Sequence, residues 1–329
     1  MSFRAGWALK DRHVQHLNSR RANCALSPAR ACCAVASPVP ARHRGRRATP
    51  GSPEPCEGYR GELRRDIPLC RDRDADTNSS GDFVFSPAPR HAGADPAAAQ
   101  TVVRIRVHRE RCRRVLEKRH CAVLGLSPFN SFFTPRTIRL LVAWADDWFD
   151  QVEILLPGYE AAYGQIAAGM APRAAVRHTL HAVRTLRGAA KTALARVGRE
   201  PRVHTWTAKA AHPHYQALHR AGIDAFHREP LFRDLCEQNA RAYLRTVTDR
   251  VPDADTVARN VDYILAEVPY LLDVAGIVDA ESAVFCYPKP WPLQMALFDG
   301  HVPTLVPADR HGYAQVTLDA VQPEGPHER

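Results

Sequence analysis

The chain has 329 residues, enough for one large domain or two small ones, and its 45 Lys and Arg outnumber 35 Asp and Glu for a net charge of +10. The charge is concentrated: residues 1–50 hold ten Lys and Arg against one acid, Asp11, while the chain from 101 onward is only +4, so the basic total says little about nucleic-acid binding by the folded part. No apolar run approaches membrane-spanning length, no basic start leads into an apolar signal sequence, and nine cysteines without a C-x-x-C pair suit free thiols in a reducing cytoplasm.

Residues 1–100 are rich in Arg, Ala, Pro, Ser and Asp and poor in large apolar side chains. Such a composition does not bury enough surface to offset chain entropy, so this stretch is expected to be a disordered extension. A folded domain is expected over 101–329. Residues 102–107 alternate like an edge strand, and 108–120 form a basic, helical lead-in. Residues 122–126 read as a buried strand, and the loop after it carries Ser127, Asn130 and Ser131. An amphipathic helix over 135–149 and a second buried strand over 152–156 complete a βαβ unit with a right-handed crossover. Helices are then expected over 161–170 and 172–197, and a strand over 203–207. Further helical patterns span 212–247, broken near Glu229-Pro230, and 255–272. A strand over 282–287, a helix over 291–298 and a strand over 313–318 follow, before a polar tail from Gln322. Strands alternating with helices predict an α/β fold with a doubly wound parallel sheet flanked by helices.

Four constellations carry chemistry. Ligands of such sheets bind outside the carboxyl ends of the strands, where Ser127 would sit beside Gly125, a residue that allows close backbone approach. Ser127 is either a reactive hydroxyl there or a cap of the following helix. On the 255–272 helix, Asn260, Tyr263, Glu267 and Tyr270 recur on one face, where a core helix usually carries Leu or Val. Glu267 there is either a group for binding and deprotonating an amine or an ordinary solvated acid. Tyr287 ends a strand before Pro288, which holds it extended and suits a hydroxyl aimed into a pocket, or a buried Tyr bonded to backbone. On the 172–197 helix, Arg173, Arg177, His181, Arg184, Arg187 and Lys191 make a stripe about 27 Å long. No acid interleaves, which suits a polyanion such as RNA as well as a plain soluble face.

The absences are also informative. No phosphate-binding or dinucleotide-binding glycine loop follows a strand. Gly125-Leu126-Ser127-Pro128-Phe129 lacks the second glycine of a nucleophile elbow. His178-x-x-His181 has no carboxylate or thiol close in sequence, so no metal is expected.

Taken in order, Gly125-Leu126-Ser127 with Asn130-Ser131-Phe132-Phe133, the basic helix ending Ala195-Arg196-Val197-Gly198, His214-Tyr215-Gln216-Ala217, the run from Asn260 to Pro269 with Tyr263 and Glu267, and Cys286-Tyr287-Pro288 resemble the cyclodipeptide synthases. These enzymes make diketopiperazines from two aminoacyl-tRNAs. The resemblance covers about residues 108–320. It implies a Rossmann-like fold similar to the catalytic domains of class I tyrosyl- and tryptophanyl-tRNA synthetases, with no ATP and no cofactor. It makes Ser127 the nucleophile of a ping-pong acyl transfer, with Tyr263 and Glu267 holding the α-amino group and Asn130 and Tyr287 supporting catalysis. Tyr215 and Asn260 join the substrate side, and Val123, Leu155, Tyr270 and Phe285 would line the first aminoacyl pocket. That lining, apolar except for Tyr270, implies an apolar or aromatic first amino acid. The basic helix would grip the tRNA acceptor stem. The resemblance further implies a monomer whose product passes to diketopiperazine-tailoring enzymes. Pro288 and Pro128-Phe129 assign the chain to the branch with Pro after the late Tyr, although Asn130 belongs to the other branch. A tRNA-binding protein without catalysis and a serine esterase of aminoacyl esters are the competing readings.

Overall fold

A seven-stranded mixed sheet organises the chain, with strand order β1-β2-β7-β6-β3-β4-β5. A computed structural model describes residues 82–85, 101–248 and 251–320, all of which fall in one unit. The expectations for 1–81, 86–100 and the polar tail lie outside the described residues. The strands are β1 (Asp82–Phe85), β2 (Thr101–Arg106), β3 (Cys121–Gly125), β4 (Gln151–Leu156), β5 (Val203–Thr205), β6 (Ala283–Tyr287) and β7 (His311–Ala320). Five of them, β7-β6-β3-β4-β5, are parallel. All five residues of β3 are buried, as are the last five of β4. Strands covered on both faces read as continuous apolar runs, which is why these two are plain in the sequence.

The other side of the sheet differs from expectation. β2 pairs antiparallel with β7, and β1 pairs antiparallel with β2 through Asp82↔Arg106 to Phe85↔Val103. The alternating 102–107 segment is therefore an inner strand, and four residues of the stretch expected to be disordered supply the edge. β1 is only four residues long, too short for a period-2 pattern to stand out.

The helices are α1 (Glu110–Glu117), α2 (Pro135–Trp148), α3 (Ala162–Ala167), α4 (Pro172–Arg196), α5 (Trp206–Lys209), α6 (Pro213–Arg228), α7 (Pro230–Val247), α8 (Ala254–Ile277) and α9 (Pro292–Phe298). A 3₁₀ turn, Tyr159–Ala161, precedes α3. Proline stands in the first turn of α2, α4, α6, α7 and α9, where its missing N–H is not needed. The third strand ends earlier than expected, because Thr205 accepts the Ala208 N–H and caps α5.

α8 is buried almost all round, and α6 and α7 pack on it. It carries Pro269 within it, and its dihedrals break at Asp273, at φ −157° and ψ 76°. The freed carbonyl of Leu272 accepts the Ala308 N–H at 2.8 Å. Asp273 then accepts the Gly276 N–H at 3.0 Å and caps one further turn. The helix expected to stop at Leu272 thus continues to Ile277 beyond a break.

Candidate active site

Gly125 ends β3, and its neighbours show why a side chain there is excluded. A Cβ would stand 2.6 Å from Cζ of Phe285 and 3.4 Å from Cδ2 of Tyr287. The bare backbone lets both aromatic rings of β6 lie against the strand end, where they stack at 6.4 Å. Residues Ser127 to Asn130 then form a turn, with the Asn130 N–H donating to the Ser127 carbonyl at 3.4 Å and Pro128 setting its first corner. Asn130 accepts the Phe132 N–H on its side-chain oxygen at 3.0 Å, which fixes its orientation. The cap of α2 is Thr134, whose hydroxyl accepts the Thr137 N–H at 3.1 Å. Ser127 is therefore not the helix cap; its hydroxyl is half-buried on the turn before.

Tyr287 ties that turn to the rest of the site. Its phenol receives a long hydrogen bond of 3.4 Å from the Asn130 amide and a further hydrogen bond links it with Ser127. Burial raises the Tyr287 pKa, and the nearby Glu267 and Tyr243 add to this. The backbone behind it is held from β7: the Tyr313 hydroxyl donates to the Tyr287 carbonyl at 3.3 Å and the Gln315 amide to the Pro288 carbonyl at 3.0 Å.

From α8 come Tyr263 and Glu267, both buried. Burial pushes the Glu267 carboxyl up to about 8, and its Oε2 has no hydrogen-bond partner. A buried carboxyl in this condition holds its proton at neutral pH and has one oxygen free for a ligand. Tyr263 is raised far above its ordinary value by burial, then by Glu267, Tyr287, Tyr243 and Glu160 around it. The residues expected to act together, Ser127, Asn130, Tyr287, Tyr263 and Glu267, thus converge from a β3 turn, the end of β6 and α8.

The remaining expected residues fall in two groups. Val123, Leu155 and Phe285 are buried on one face of the sheet, since Val123 pairs with Phe285 and Gly125 with Leu155. Tyr270 and Tyr215 form an aromatic group on the helical side, with ring centroids 5.4 Å apart. The Tyr215 hydroxyl is committed to the Ala266 carbonyl at 3.0 Å, one residue before Glu267, so it braces the helix there. The Tyr270 hydroxyl is buried without a partner, and Asn260 is fully buried with neither amide atom bonded.

Three residues escaped the sequence reading. Trp206 stacks on Tyr263 at 5.3 Å and on Tyr270 at 5.5 Å, and Tyr243 stacks on Tyr263 at 6.1 Å. Glu160 is buried, its carboxyl raised by burial while Thr207 and the Gly158 N–H bond to it. Trp206 looked like the end of a strand, and Tyr243 and Glu160 lie in segments without a motif, so nothing local marked them.

Arg173, Arg177, His181, Arg184, Arg187 and Lys191 are all exposed on α4, and no acidic side chain among the described residues pairs with them. The opposite face, Ala175, Thr179, Val183, Ala190 and Leu194, is buried, so the stripe is the solvent side of an anchored helix. Among the described residues no group of three His, Cys, Asp or Glu could hold a metal ion, and no helix is long and apolar enough to cross a membrane. Cys112, Cys121, Cys236 and Cys286 are free and buried.

A family model described as cyclodipeptide synthase matches residues 103–318. The cyclo(L-leucyl-L-leucyl) synthase of Bacillus subtilis is 32% identical over 191 residues, 56% of this chain and 77% of that protein. A solved cyclodipeptide synthase from Bacillus thermoamylovorans superposes with a TM-score of 0.63 at 25% identity, over 65% of this chain and 95% of the other. A Mycobacterium tuberculosis structure, described as demonstrating that cyclodipeptide synthetases are related to type I tRNA synthetases, superposes at 0.60 and 25% identity, over 66% and 94%.

Proposed function

The chain belongs to the cyclodipeptide synthase family, and on that premise we propose that it joins two aminoacyl groups, each delivered on a tRNA, into a 2,5-diketopiperazine through esters of Ser127. The observation that carries this reading is the convergence of Ser127, Tyr287, Tyr263 and the partly unpartnered Glu267 at the carboxyl ends of β3 and β6.

The substrate ester is already activated, so Ser127 needs no Ser-His-Asp triad. Its hydroxyl attacks the first aminoacyl carbonyl, and the terminal ribose hydroxyl leaves with the proton. The α-amino group then lies against Glu267 and Tyr263. An α-amino group has a pKa near ~7.8, close to that of the buried carboxyl, so the pair shares one proton without burying a net charge. Once neutral, that amine attacks the ester of the second aminoacyl-tRNA, which releases the second tRNA and leaves a dipeptidyl ester on Ser127. The new terminal amine attacks this ester, closes the six-membered ring and frees the hydroxyl. The first step exchanges one ester for another and the next two convert an ester into an amide, each releasing one alcohol, so the esters themselves supply the driving force and no ATP and no cofactor enter.

The exposed cations of α4 supply the grip on the acceptor stem. Val123, Leu155 and Phe285 favour an apolar first amino acid, in keeping with the leucine in the name of the Bacillus subtilis relative. Mass spectrometry of medium from cells expressing the chain should find cyclic dipeptides, absent with Ser127→Ala. Purified protein given labelled aminoacyl-tRNA should carry the label as an ester on Ser127. Linear products alone would make it an esterase, and tRNA retention without any product would make it a binding protein.

A further inference from the structure

β4 and β5 pair as far as Leu156↔Thr205, and Pro157, which has no N–H, follows directly. Beyond it a side chain connects the two segments. Glu160, in the 3₁₀ turn after β4, accepts the Gly158 N–H on Oε2 at 2.8 Å. The Thr207 hydroxyl of α5 donates to the same carboxylate, 3.0 Å from Oε1 and 3.1 Å from Oε2. Gly158 makes room for this approach, since a Cβ there would stand 1.8 Å from the Thr207 hydroxyl oxygen. Glu160 is only 6% exposed, and the donors that favour its charged form are neutral: its own N–H, the Thr207 hydroxyl and the Gly158 N–H. Burying an acid against neutral donors costs stability that an apolar residue would not cost.

What the connection holds is Trp206, the neighbour of Thr207. α5 is four residues long, too short for its own hydrogen bonds to fix it. Its first residue, Trp206, is buried and lies nearly flat on two rings of α8, at 26° to Tyr263 and 27° to Tyr270. Glu160 is close enough to both phenols for its charge to raise their pKa values. We propose that Glu160 and Thr207 are positioning residues: they fix α5 so that Trp206 holds the Tyr263 phenol against the α-amino group of the bound aminoacyl ester. This rests on the Ser127 reaction above. Both oxygens of Glu160 are bonded, whereas Oε2 of Glu267 is not, so Glu160 acts through Tyr263 and does not take the substrate itself. A displacement of about 1 Å in a positioning group is enough to cost on the order of a hundredfold in rate.

The test asks whether the connection acts on the amine. Acyl-enzyme formation at saturating substrate is measured with the aminoacyl-tRNA that labels Ser127 in the parent, and with its α-hydroxy analogue, in which a hydroxyl replaces the amine. The proteins are the parent, Thr207→Val, Thr207→Ser, Tyr263→Phe and the double variant Thr207→Val with Tyr263→Phe, each well below its melting temperature. Thr207→Val should slow the reaction of the amine substrate about tenfold and that of the hydroxy analogue less than about twofold. Thr207→Ser, which keeps the hydroxyl, should stay within about twofold of the parent on both. In the Tyr263→Phe background, Thr207→Val should add less than about twofold, because the group it positions is already gone. Equal losses on the two substrates, or losses that multiply in the double variant, would make the connection general fold support and overturn the proposal alone, as would an unchanged Thr207→Val. If Thr207→Val fails to fold, Glu160→Gln, with one acceptor in place of two, serves the same comparison with the same criteria. A parent that takes no label on Ser127 from any aminoacyl-tRNA would overturn the Ser127 reading and this inference with it.

Discussion

Glu267 carries the sharpest electrostatic signature of the site. The unfolded chain releases this proton near 4.5 while the folded protein keeps it to about 8. Folding therefore takes up a proton through that window, and the residue lowers stability progressively as pH rises through it. Glu267→Gln should abolish acyl-enzyme formation while its stability relative to the parent improves from about pH 4.5 to about pH 8 and levels off above. The gain should be on the order of 5 kcal/mol, read by denaturant unfolding across that range. A difference that stayed flat with pH would show that Glu267 is ionised in the empty site. Ser127 shows a different dependence on context. Its place after an apolar strand was readable, but whether it caps a helix or faces a pocket depended on Thr134, which holds the cap, and on Tyr287, which reaches it from 160 residues away.

α8 works as two pieces joined at Asp273. The first piece presents Tyr263 and Glu267, and the break turns the chain towards β6. Burial alone would raise the Asp273 carboxyl, but Arg310, the Gly276 N–H and His214 more than offset it and hold it below its usual value. Arg310 bonds both of its oxygens, and His214 Nε2 lies 2.8 Å from Oδ2. Asp273→Ala removes the cap and all three partners and should cost about 2 kcal/mol in denaturant unfolding. Asp273→Asn should cost less, since an amide oxygen still accepts the Gly276 N–H. Because the folded pKa is depressed, the contribution is present above about pH 3.8 and fades below it, so parent and Asp273→Ala should converge in acid. The helix face was legible from its period. The break was not, because the partners that stabilise it, Ala308 and Arg310, are distant in sequence.

At the scale of the whole molecule, β1 decides where the catalytic unit begins. It covers the outer edge of β2, which otherwise presents unpaired N–H and C=O groups to solvent. We expect a chain begun at Asp74 to melt and turn over like the full chain. A chain begun at residue 101 lacks β1 and should melt about 5 °C lower and aggregate more readily, as calorimetry and light scattering would read. Matching behaviour of the two truncations would show that β1 contributes nothing. Up to this edge, the sequence by itself determined a great deal. Burial on both faces made β3 and β4 continuous apolar runs, proline marked five helix starts, and the family's ordered motifs singled out the candidate residues before any contact was known. These signals are local, so the chain states them directly. Only the tertiary structure decided that the β3 turn, the end of β6 and α8 share one buried cluster. It alone gave Trp206, Tyr243 and Glu160 their places around Tyr263. Such relations join residues tens to hundreds of positions apart, and packing, not sequence period, brings them together.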